Sequence, residues 1–448
     1  MEKLTIADQN GLFPIILHGS TAAPPVIGAV RQTVPQPAGN GLVEEVIDLA
    51  LKGAGISAVL QSLEEKILLS QQGIRDAYLY LQTAAGLSAV SARILSGRIE
   101  LLGGGLNDRK RHVQILRLRL LRADYWEEST RALALSNQNG SQVWNGLAIR
   151  NHCDATAGHQ NFVDIDADEV HGTLPCPVQV RLILPEGFPA ALRDCHIAAG
   201  FDLKDEYSAF DHVLEGEAGA PGSGCTGSSQ ENSSSCSAGA SVQVEWTAQS
   251  EVPLWKWTLS ADQLGYMGAC NFRPVMRLAA LPVEGVYLRW SASTQSGGEM
   301  LRTQQTLLDP GKLLTPLPAL RLPPAPMDGG PYRPLEIQLR AECAEPGVKS
   351  LNIDFVHLLP AASYQHLLPL GQLEAGYTLV SDGREERVYA CQSGGNNQQI
   401  SHLLTGAPIV LQPGRHNRVF FLYETASGAP IEALTQVMIY QKARIQQP

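Results

Sequence analysis

The sequence predicts a mainly β protein of several domains: a first β-sandwich unit that carries one helix, followed by two β-sandwich units of jelly-roll type. Three observations predict this fold class. Charged residues make up 17% of the 448 residues, below the usual quarter, whereas Gly (42) and Pro (28) are plentiful. Short segments of alternating polar and apolar residues recur along the chain, separated by turn-forming residues. Clear helical spacing is found in a single segment.

The first predicted unit covers residues 1–130. Its helix is expected to begin at Ser57, which suits an N-cap, and to end near Gly73, with apolar residues at i, i+3 and i+7 on one face. Its expected strands are residues 42–51, 77–82, 92–102 and 113–122. One helix among strands, without βαβ alternation, favours an α+β unit or a sandwich with one helix.

Residues 131–315 and 335–448 are each predicted to form a β-sandwich, because short strand candidates follow one another between turns. The clearest candidates are residues 143–150, 162–165, 178–184, 242–246, 254–259, 286–290, 377–380, 386–390, 409–411, 419–423 and 436–440. Residues 216–241, rich in Gly and Ser, are expected to form a mobile surface loop. Residues 316–334, rich in Pro, are expected to form a semi-rigid linker between the two sandwiches.

Charge and hydropathy limit the class of protein. The formal net charge of -10 disfavours nucleic acid as the main partner, because phosphate binding needs a cationic surface. The first residues lack an apolar run flanked by positive charge, and no apolar stretch reaches the roughly 18 residues of a membrane span. We therefore expect synthesis in the cytoplasm of a host cell, without a secretory signal and without a membrane span.

The eight cysteines include no C-x-x-C pair, which disfavours redox and zinc-ribbon sites. Cys225 and Cys236 lie in one polar segment, where a disulfide and two free thiols are both open alternatives. The other cysteines are expected to be small buried residues. Further candidate zinc ligands are His152, Cys153, Asp154 and His159. Their spacing matches no known zinc site, so none is predicted.

No nucleophile elbow, zinc-protease, P-loop or dinucleotide-binding motif occurs in the sequence. We therefore predict neither enzyme activity nor a cofactor. Paired carboxylates for glycoside hydrolysis need to be close only in space, so a glycan-degrading activity stays as a third alternative to the two functions given below.

Asp164, Asp166 and Asp168 form the most concentrated acidic cluster. On one strand these three carboxylates would share a face, an arrangement that binds Ca²⁺. Glu169 and Pro175 depart from the EF-hand pattern. The alternative is a solvated strand edge and turn, so the three residues are metal candidates and no metal site is predicted.

A basic stripe runs through the end of the first unit. Its members are Arg109, Lys110, Arg111, Arg117, Arg119 and Arg122. Strand alternation places Leu116, Leu118 and Leu120 on the face opposite Arg117 and Arg119. The stripe is expected to line a channel that passes DNA or to meet an acidic neighbouring subunit, with a solvated strand face as the alternative.

Aromatic residues cluster in the second unit: Trp246, Trp255, Trp257, Tyr287 and Trp290. Trp255 and Trp257 lie on the same face of one strand by alternation. If exposed, these two rings would form a glycan-binding platform. The alternative is core packing, the usual role of large aromatic side chains.

Several segments resemble stretches of phage tail proteins of the siphovirus type. Residues 116–128 read LRLRLLRADYWEE, a strand of alternating Arg and apolar residues that ends in an R-A-x-Y-W-E motif. Between residues 144 and 184, the segments WNGLAIRNH, NFVDIDADEV and LPCPVQVRLIL occur in the order found in that group. The segments LNIDFVHLLP, VSDGREERVYA and IVLQPGRHNRVFFLY of the last third follow the same layout.

The resemblance covers most of the chain and is strongest to distal tail proteins of the baseplate. It implies that the first unit is a tail-tube-like, ring-forming domain. It also implies a homo-oligomeric ring, such as a hexamer, around a DNA channel in the virion tail, in contact with other tail proteins. The two sandwich units and the Gly/Ser-rich segment depart from the small distal tail proteins. The position at the tail tip, along the tube or in a tail-derived injection device therefore stays open.

Two functions of different classes follow. The favoured function is a structural subunit of a phage tail or tail-like particle, which forms a ring or tube and presents its sandwiches outward. The alternative is a carbohydrate-binding adhesin that contacts host surface glycans, for which Trp255 and Trp257 are the candidate residues.

Overall fold

The computed structural model describes residues 3–9, 11–18, 26–31, 36–53, 55–82, 90–103, 113–137, 146–151, 160–201, 212–231, 235–247, 250–267, 271–294, 298–322, 333–343, 345–369, 373–392, 397–398, 402–429 and 433–446. Within these residues the protein is mainly β, as predicted. Two helices are present there, α1 (Ile56–Gln71) and α2 (Ala261–Met267).

The strands, in chain order, are β1 (Lys3–Asp8), β2 (Ile15–His18), β3 (Val26–Arg31), β4 (Gln36–Gly39), β5 (Leu42–Lys52), β6 (Ala77–Gln82), β7 (Val90–Gly103), β8 (Val113–Ala123), β9 (Trp126–Glu127), β10 (Arg131–Ala132), β11 (Leu147–Ile149), β12 (Phe162–Ile165), β13 (Cys176–Pro177), β14 (Gln179–Ile183), β15 (Leu192–Phe201), β16 (Val213–Glu215), β17 (Ala220–Pro221), β18 (Cys225–Glu231), β19 (Ala240–Trp246), β20 (Val252–Leu259), β21 (Asn271–Leu278), β22 (Val286–Thr294), β23 (Glu299–Arg302), β24 (Thr306–Leu307), β25 (Leu314–Pro316), β26 (Leu320–Arg321), β27 (Leu335–Cys343), β28 (Lys349–Pro360), β29 (Tyr364–Pro369), β30 (Tyr377–Asp382), β31 (Arg387–Gln392), β32 (Asn397–Gln398), β33 (His402–Gly406), β34 (Val410–Leu411), β35 (Asn417–Thr425), β36 (Thr435–Gln441) and β37 (Arg444–Ile445). Short 3-10 helices lie at Ser237–Gly239 and Ala361–Ser363.

The chain divides into two compact units. Unit 1 comprises Met1–Arg131, His171–Leu174 and Lys442–Pro448, and unit 2 comprises Ala132–Val170 and Pro175–Gln441. Unit 1 thus contains the residues of the first predicted unit, 1–130, together with two short segments from later in the sequence. No helix among the described residues is long and apolar enough to cross a membrane.

Unit 1 is built on one sheet, sheet 1, with the strand order β2-β1-β6-β7-β8-β5-β3. Strand β4 pairs with β5, and the short strand β9 pairs with both β7 and β37. Alternate residues of β8 face the core, where Leu116, Leu118 and Leu120 join Leu63 and Ile67 of α1. The helix and the predicted strands of this unit are therefore present.

The start of α1 differs from the prediction. The helix begins at Ile56, so Ser57 lies inside its first turn. Gly55 stands at the cap position with a φ of 92° and no side-chain hydrogen bond. Glycine adopts this left-handed conformation without steric penalty, which lets the chain turn sharply into the helix.

Unit 2 contains an outer sandwich that the chain builds from two separated stretches, residues 132–201 and 364–441. Its sheet 2 has the order β10-β36-β14-β30-β31-β32, with β11 on β36, and its sheet 3 has the order β12-β35-β15-β29-β33. Facing side chains such as Val180, Ile197 and Phe421 form its core.

A second sandwich, here called the insert, comprises residues 212–360 and interrupts the outer sandwich between β15 and β29. Its sheet 4 has the order β18-β19-β28-β21-β25, with β16 on β28 and β26 on β21. Its sheet 5 has the order β17-β20-β27-β22-β23, with β24 on β22. Four tryptophans lie in its separate core: Trp246, Trp255, Trp257 and Trp290.

Sheets 3 and 4 face each other across a further apolar cluster, here called the junction cluster. Its members are Phe162, Ala198, Val275, Leu314, Phe355, Leu359, Tyr364, Phe420, Leu422 and Ala429. Both sheets are therefore covered on both faces. As a result, β35 is buried at all 9 of its positions. This explains why the segment reads as a continuous apolar run rather than an alternation.

The structure differs from the predicted domain boundaries. Residues 131–315 and 335–448 do not form two successive sandwiches, because β20 pairs with β27 and β21 with β28 across the predicted linker. β14 pairs likewise with β30 and β36. Sequence patterns identify strands but not their distant partners, so a nested arrangement looks the same as a consecutive one.

The predicted linker, residues 316–334, also differs from expectation in its described part. β26 pairs with β21, and Leu317, Leu320 and Leu322 are buried in the core of the insert. Residues 323–332 lie outside the described residues. The prolines of the first half thus accompany a buried strand edge, where their missing N–H groups are tolerated.

The described part of the Gly/Ser-rich segment, residues 216–231 and 235–241, contains strands instead of the predicted mobile loop, and residues 232–234 lie outside the described residues. β17 pairs with β20, and β18 pairs with β19 over seven residues, although β18 is largely exposed at the edge of sheet 4. Cys225 and Cys236 are free thiols, which decides between the two alternatives. The high Gly and Ser content of the described part of this segment therefore reflects solvent exposure and close packing rather than disorder.

Glycines of this segment pack against β20. A Cβ atom at Gly222 would overlap the carbonyl oxygen of Pro253, and one at Gly227 would lie 2.5 Å from the Trp255 ring. We expect Gly222→Ala to lower the free energy of unfolding of the insert by about 1–3 kcal/mol, the usual effect of overpacking. Denaturant unfolding followed by tryptophan fluorescence measures the change.

Gly187→Ala is the matched control for this prediction. A Cβ atom there meets nothing within 4 Å. Its effect should stay within about 0.5 kcal/mol, as for other surface substitutions. Equal effects of the two substitutions would contradict the packing role of Gly222.

Candidate functional site

The outer face of sheet 1 carries the described part of the basic stripe. Arg117 pairs with Asp48 at 2.8 Å, and Arg119 pairs with Glu44 at 3.0 Å and with Glu100 at 3.2 Å. The hydrogen bond from Arg117 lowers the pKa of Asp48. These arginines stand opposite carboxylates on β5 and β7, so this face is charge-balanced rather than basic.

Arg122 does not belong to that face, which corrects the predicted stripe. It has the same strand parity as Leu116, Leu118 and Leu120 and points into the core, where 2% of its side chain is exposed. Its Nη2 atom lies 2.7 Å from Glu45 Oε2. A side chain paired inside the core does not line a channel. Arg109, Lys110 and Arg111 lie outside the described residues.

The end of the β7–β8 hairpin exposes apolar side chains. Leu101, Leu102 and Ile115 are 68%, 47% and 44% exposed. Along β7, Val90–Ile94 pair with β6, whereas in the described part of the chain residues 96–103 pair only with β8. One side of this stretch therefore presents unpaired backbone groups, which can template pairing with another strand.

A groove of about 510 Å³ runs beside this open edge. It lies between α1 and β7, and its lining includes Glu64, Leu68, Gly97 and Ile99. A second pocket, of about 400 Å³, lies on another part of α1 and is lined in part by Phe13 and Lys66. Unit 1 thus offers apolar and charged surface around its helix.

Asp164, Asp166 and Asp168 do not form a common face. β12 ends at Ile165, and a turn follows. Asp164 accepts a hydrogen bond from Nε of Arg418 at 2.6 Å and lies 3.1 Å from Nε2 of His416.

Burial raises the pKa of Asp164, but contacts with His416 and Arg418 outweigh burial and lower it overall. The Asp164 carboxylate therefore already binds the side chains of Arg418 and His416. This corrects the idea that the three aspartates form a metal candidate. The alternative zinc residues at positions 152–159 lie outside the described residues.

Trp255 and Trp257 are buried, 3% and 4% exposed, and belong to the core of the insert. Their indole N–H groups donate to the carbonyl oxygens of Gly216, at 2.9 Å, and Glu215, at 2.7 Å. The predicted glycan platform is therefore not formed by these two residues, and the core alternative is correct. Gly216 is the first residue of the Gly/Ser-rich segment and Glu215 precedes it, so both tryptophans hold the start of this segment.

A titratable cluster that the sequence analysis missed lies on sheet 3. Asp194 and His196 stand on β15, and His366 stands directly opposite His196 on β29. His366 Nε2 lies 2.6 Å from Asp194 Oδ1, and Lys312 donates to Asp194 Oδ2 at 2.9 Å. His196 Nδ1 lies 2.8 Å from the hydroxyl oxygen of Tyr364. These contacts lower the pKa of Asp194 although burial raises it.

The ligand types of Asp194, His196 and His366 match those of a metal site, but the ring geometry does not. The two imidazole rings are stacked, with centroids 4.2 Å apart and planes 17° from parallel. A metal ion lies in the plane of each histidine that binds it, and two stacked planes share no point near both nitrogens. The cluster is instead an ion-pair and hydrogen-bond network with Lys312 as its cation.

One sequence signal points to this cluster. Asp194 and His196 are separated by one residue in a largely apolar strand, as are Tyr364 and His366. Such i, i+2 pairs share a strand face. Polar residues on a face of an apolar strand indicate either solvent or a buried network, and only the strand pairing decides between the two.

Comparisons with known proteins give distant similarities. No family profile and no curated protein matches the chain. Among solved structures, the Dit protein of phage SPP1, described as a paradigm of the hub adsorption apparatus in phages that infect Gram-positive bacteria, is 7% identical with a TM-score of 0.30, covering 99% of both chains. A chain of the phage P2 baseplate, in its activated conformation with Ca, is 8% identical with a TM-score of 0.27, again covering 99% of both chains. Similarity at this level does not assign the chain to a family.

Proposed function

We propose that this protein is a structural subunit of a phage tail or tail-like particle, which assembles with further copies of itself through unit 1. The proposal is supported first by the segment LRLRLLRADYWEE, residues 116–128, which resembles phage tail proteins. In unit 1 this segment supplies the central strand β8 and the fully buried Trp126, whose ring lies 4.6 Å from the Arg122 guanidinium. The residues that carry the resemblance are thus those that organise the sheet.

The observation that carries the proposal is the open, apolar edge of sheet 1. Within the described part of the chain, residues 96–103 of β7 pair only with β8, and Leu101 and Leu102 at the end of this stretch are exposed. Isolated exposed edges of this kind are normally blocked by charge, proline or a covering element, because they invite pairing with another chain. Pairing of such an edge with a different surface of the next copy is a heterologous contact, which closes into a ring or continues as a tube.

Light scattering coupled to size exclusion, with negative-stain images, tests the assembly. The chain is expected to form a discrete particle of several copies with a ring or tube outline. Leu101→Asp should shift the protein toward the monomer, because a carboxylate would be placed at the apolar edge. Leu307→Asp is the matched control, since Leu307 is 53% exposed but lies in the insert.

A monomer at every concentration tested would contradict the proposal, as would equal behaviour of the two variants. Passage of DNA and contact with host glycans stay predictions. The paired arginines of β8 and the buried Trp255 and Trp257 do not supply the surfaces first expected for them.

A further inference from the structure

Exposed apolar side chains are concentrated in unit 1. Half of the 16 large hydrophobic side chains that are exposed among the described residues belong to it, although it is the smaller of the two units. Three of these side chains lie at the open edge of β7. Phe13, in the turn between β1 and β2, and Leu68, on α1, lie elsewhere on the unit and have no part in the contact described so far.

Phe13 has an unusual backbone conformation. Its side chain is 70% exposed, and its φ of 52° lies in the left-handed region. A bulky residue adopts this conformation at a cost, whereas glycine adopts it freely. Pro14 follows and restricts the backbone of residue 13 further. Strain of this kind is typical of functional sites, and here it holds an aromatic ring out in solvent.

Hydrogen bonds fix the turn that carries Phe13. The backbone N–H of Leu12 donates to Asp8 Oδ1 at 2.6 Å, and that of Gly11 donates to the carbonyl oxygen of Asp8 at 2.9 Å. The hydroxyl of Tyr80 on β6 donates to the same carbonyl oxygen at 2.7 Å. An aromatic side chain on a rigid turn loses little conformational entropy on binding, and such side chains are typical anchors of protein interfaces.

The groove of about 510 Å³ between α1 and β7, here called the α1–β7 groove, suits an aromatic ring. Ile67, Leu68 and Ile99 supply its apolar lining. Exposed polar residues such as Gln61 and Gln71 complete the lining. An apolar centre with a polar rim is the usual anatomy of a protein interface.

The α1–β7 groove adjoins the open edge of β7. Gly97 and Ile99 line the groove and also belong to the stretch 96–103, which in the described part of the chain pairs only with β8. Phe13 lies two residues before β2, an edge strand of sheet 1 whose described partner is β1. A neighbouring copy that placed its Phe13 in the groove would therefore bring its own edge strand to the open edge of β7.

The charges beside the two surfaces favour the same contact. Lys66 Nζ lies 5.9 Å from the centroid of the Phe13 ring, and Glu64 lines the groove. Neither of these two charged side chains forms an ion pair within the described part of the chain. Arg98, the cation at the groove, already pairs with Glu100 at 2.9 Å. The ammonium of one copy thus complements a free carboxylate of the next.

We propose that Phe13 of one copy inserts into the α1–β7 groove of the next copy. The inference rests on the proposed function, because it names the surface that meets the open edge of β7 when copies assemble. The ring and the groove lie on different elements of unit 1, so each copy gives one ring and receives another. Such a contact is heterologous and leaves both surfaces available for further copies.

Two substitutions in the full chain disable the two surfaces separately. Phe13→Asp removes the ring, and Leu68→Glu places a charge in the groove. Each variant alone lacks one of the two surfaces, so each is expected to be a monomer by light scattering coupled to size exclusion. An equimolar mixture is expected to form a dimer and nothing larger. The ring of the Leu68 variant meets the intact groove of the Phe13 variant, and no further contact is then possible.

Phe13→Gly separates an interface role from a structural one. Glycine adopts a φ of 52° without strain, so this variant should lose assembly while its fold is not weakened. Its thermal unfolding midpoint should be at least as high as that of the monomeric Leu68→Glu variant, which keeps the strained phenylalanine. A lower midpoint together with retained assembly would mean that Phe13 only supports its own turn.

Leu281→Asp is the control, because Leu281 is 59% exposed but lies in the insert, and this variant should assemble as the wild type does. A monomeric wild type would contradict the proposed function together with this inference. The inference alone falls if the wild type assembles and Leu101→Asp prevents it, but Phe13→Asp still assembles. It also falls if the equimolar mixture stays monomeric or forms particles larger than a dimer.

Discussion

Replacing Glu45 by alanine is expected to lower the free energy of unfolding of unit 1 by about 3–5 kcal/mol, the usual result of removing one partner of a buried ion pair. Arg122 donates from Nε and Nη2 to Glu45 Oε2, at 2.9 Å and 2.7 Å. The two side chains are 2% and 0% exposed. Without Glu45, the guanidinium stays buried beside Trp126 and loses the carboxylate that accepts two of its hydrogen bonds.

Urea titration followed by hydrogen exchange of peptides from β5 and β8 measures this change in unit 1 separately from unit 2. The double variant Glu45→Met, Arg122→Met should recover most of the loss, because apolar side chains of similar volume often replace a buried ion pair without penalty. Asp76→Ala removes the partly exposed partner of Arg93 and should cost at most about 1 kcal/mol. If Glu45→Ala lowers the free energy of unfolding by no more than Asp76→Ala does, the Glu45–Arg122 pair does not stabilise sheet 1.

The second large effect is expected for Asp354→Ala in the insert, again a loss of about 3–5 kcal/mol. Arg277, which is 4% exposed, donates to Asp354 and to the carbonyl oxygen of Ala429. The backbone N–H of Ser237 donates to Asp354 Oδ1 at 2.9 Å. The substitution leaves the buried guanidinium of Arg277 with backbone carbonyl partners only. It also removes the carboxylate that accepts from the backbone N–H of Ser237.

The measurement is made at pH 8, because burial raises the pKa of Asp354 to about 7 despite the opposing effect of Arg277. Tryptophan fluorescence reports on the insert, which holds four of the six tryptophans. Glu299→Ala, which breaks an exposed pair with Arg302 at 3.6 Å, is the control and should change stability by less than about 1 kcal/mol. Equal effects for Asp354 and Glu299 would exclude the buried pair as a main support of the insert.

Asp354 also shows why strand alternation gave only part of the structure. Leu351, Ile353 and Phe355 alternate with polar residues and would share one face of a regular strand. A bulge opposite Arg277 and Leu278 changes the parity, so Ile353 enters the core of the insert and Phe355 the junction cluster. Bulges redirect side chains next to functional contacts and leave little trace in the sequence.

Local features were predictable where local forces decide them. The strands and the helix of unit 1 follow from periodicity, because side-chain alternation marks each element even where its partner is distant, as for β5 and β8. The nesting of the insert depends on pairs such as β14 with β36, which are far apart in the chain. The order in the Gly/Ser-rich segment depends on Trp255, whose ring excludes a Cβ atom at Gly227. Neither the distant pairing nor this close packing is visible in composition.

The candidate site shows the same division. Alternation correctly placed Arg117 and Arg119 opposite the leucines of β8, but not the carboxylates that neutralise them. The predicted stripe is wrong for Arg122, because its even spacing from Leu120 places it on the buried face of β8. The burial of His196 could not be predicted, since it depends on sheets 3 and 4 meeting.

The nested strand pairing also sets an order for folding on the ribosome. Every described strand of the insert ends by residue 360, so it can pair fully before β30–β36 of the outer sandwich have been synthesised. The outer sandwich closes only when β35 and β36 emerge, and sheet 1 receives β37 last of all. Domains usually fold as units as soon as their residues are available. The innermost sandwich therefore completes its described strand pairing before the outer sandwich does, and sheet 1 gains β37 after both.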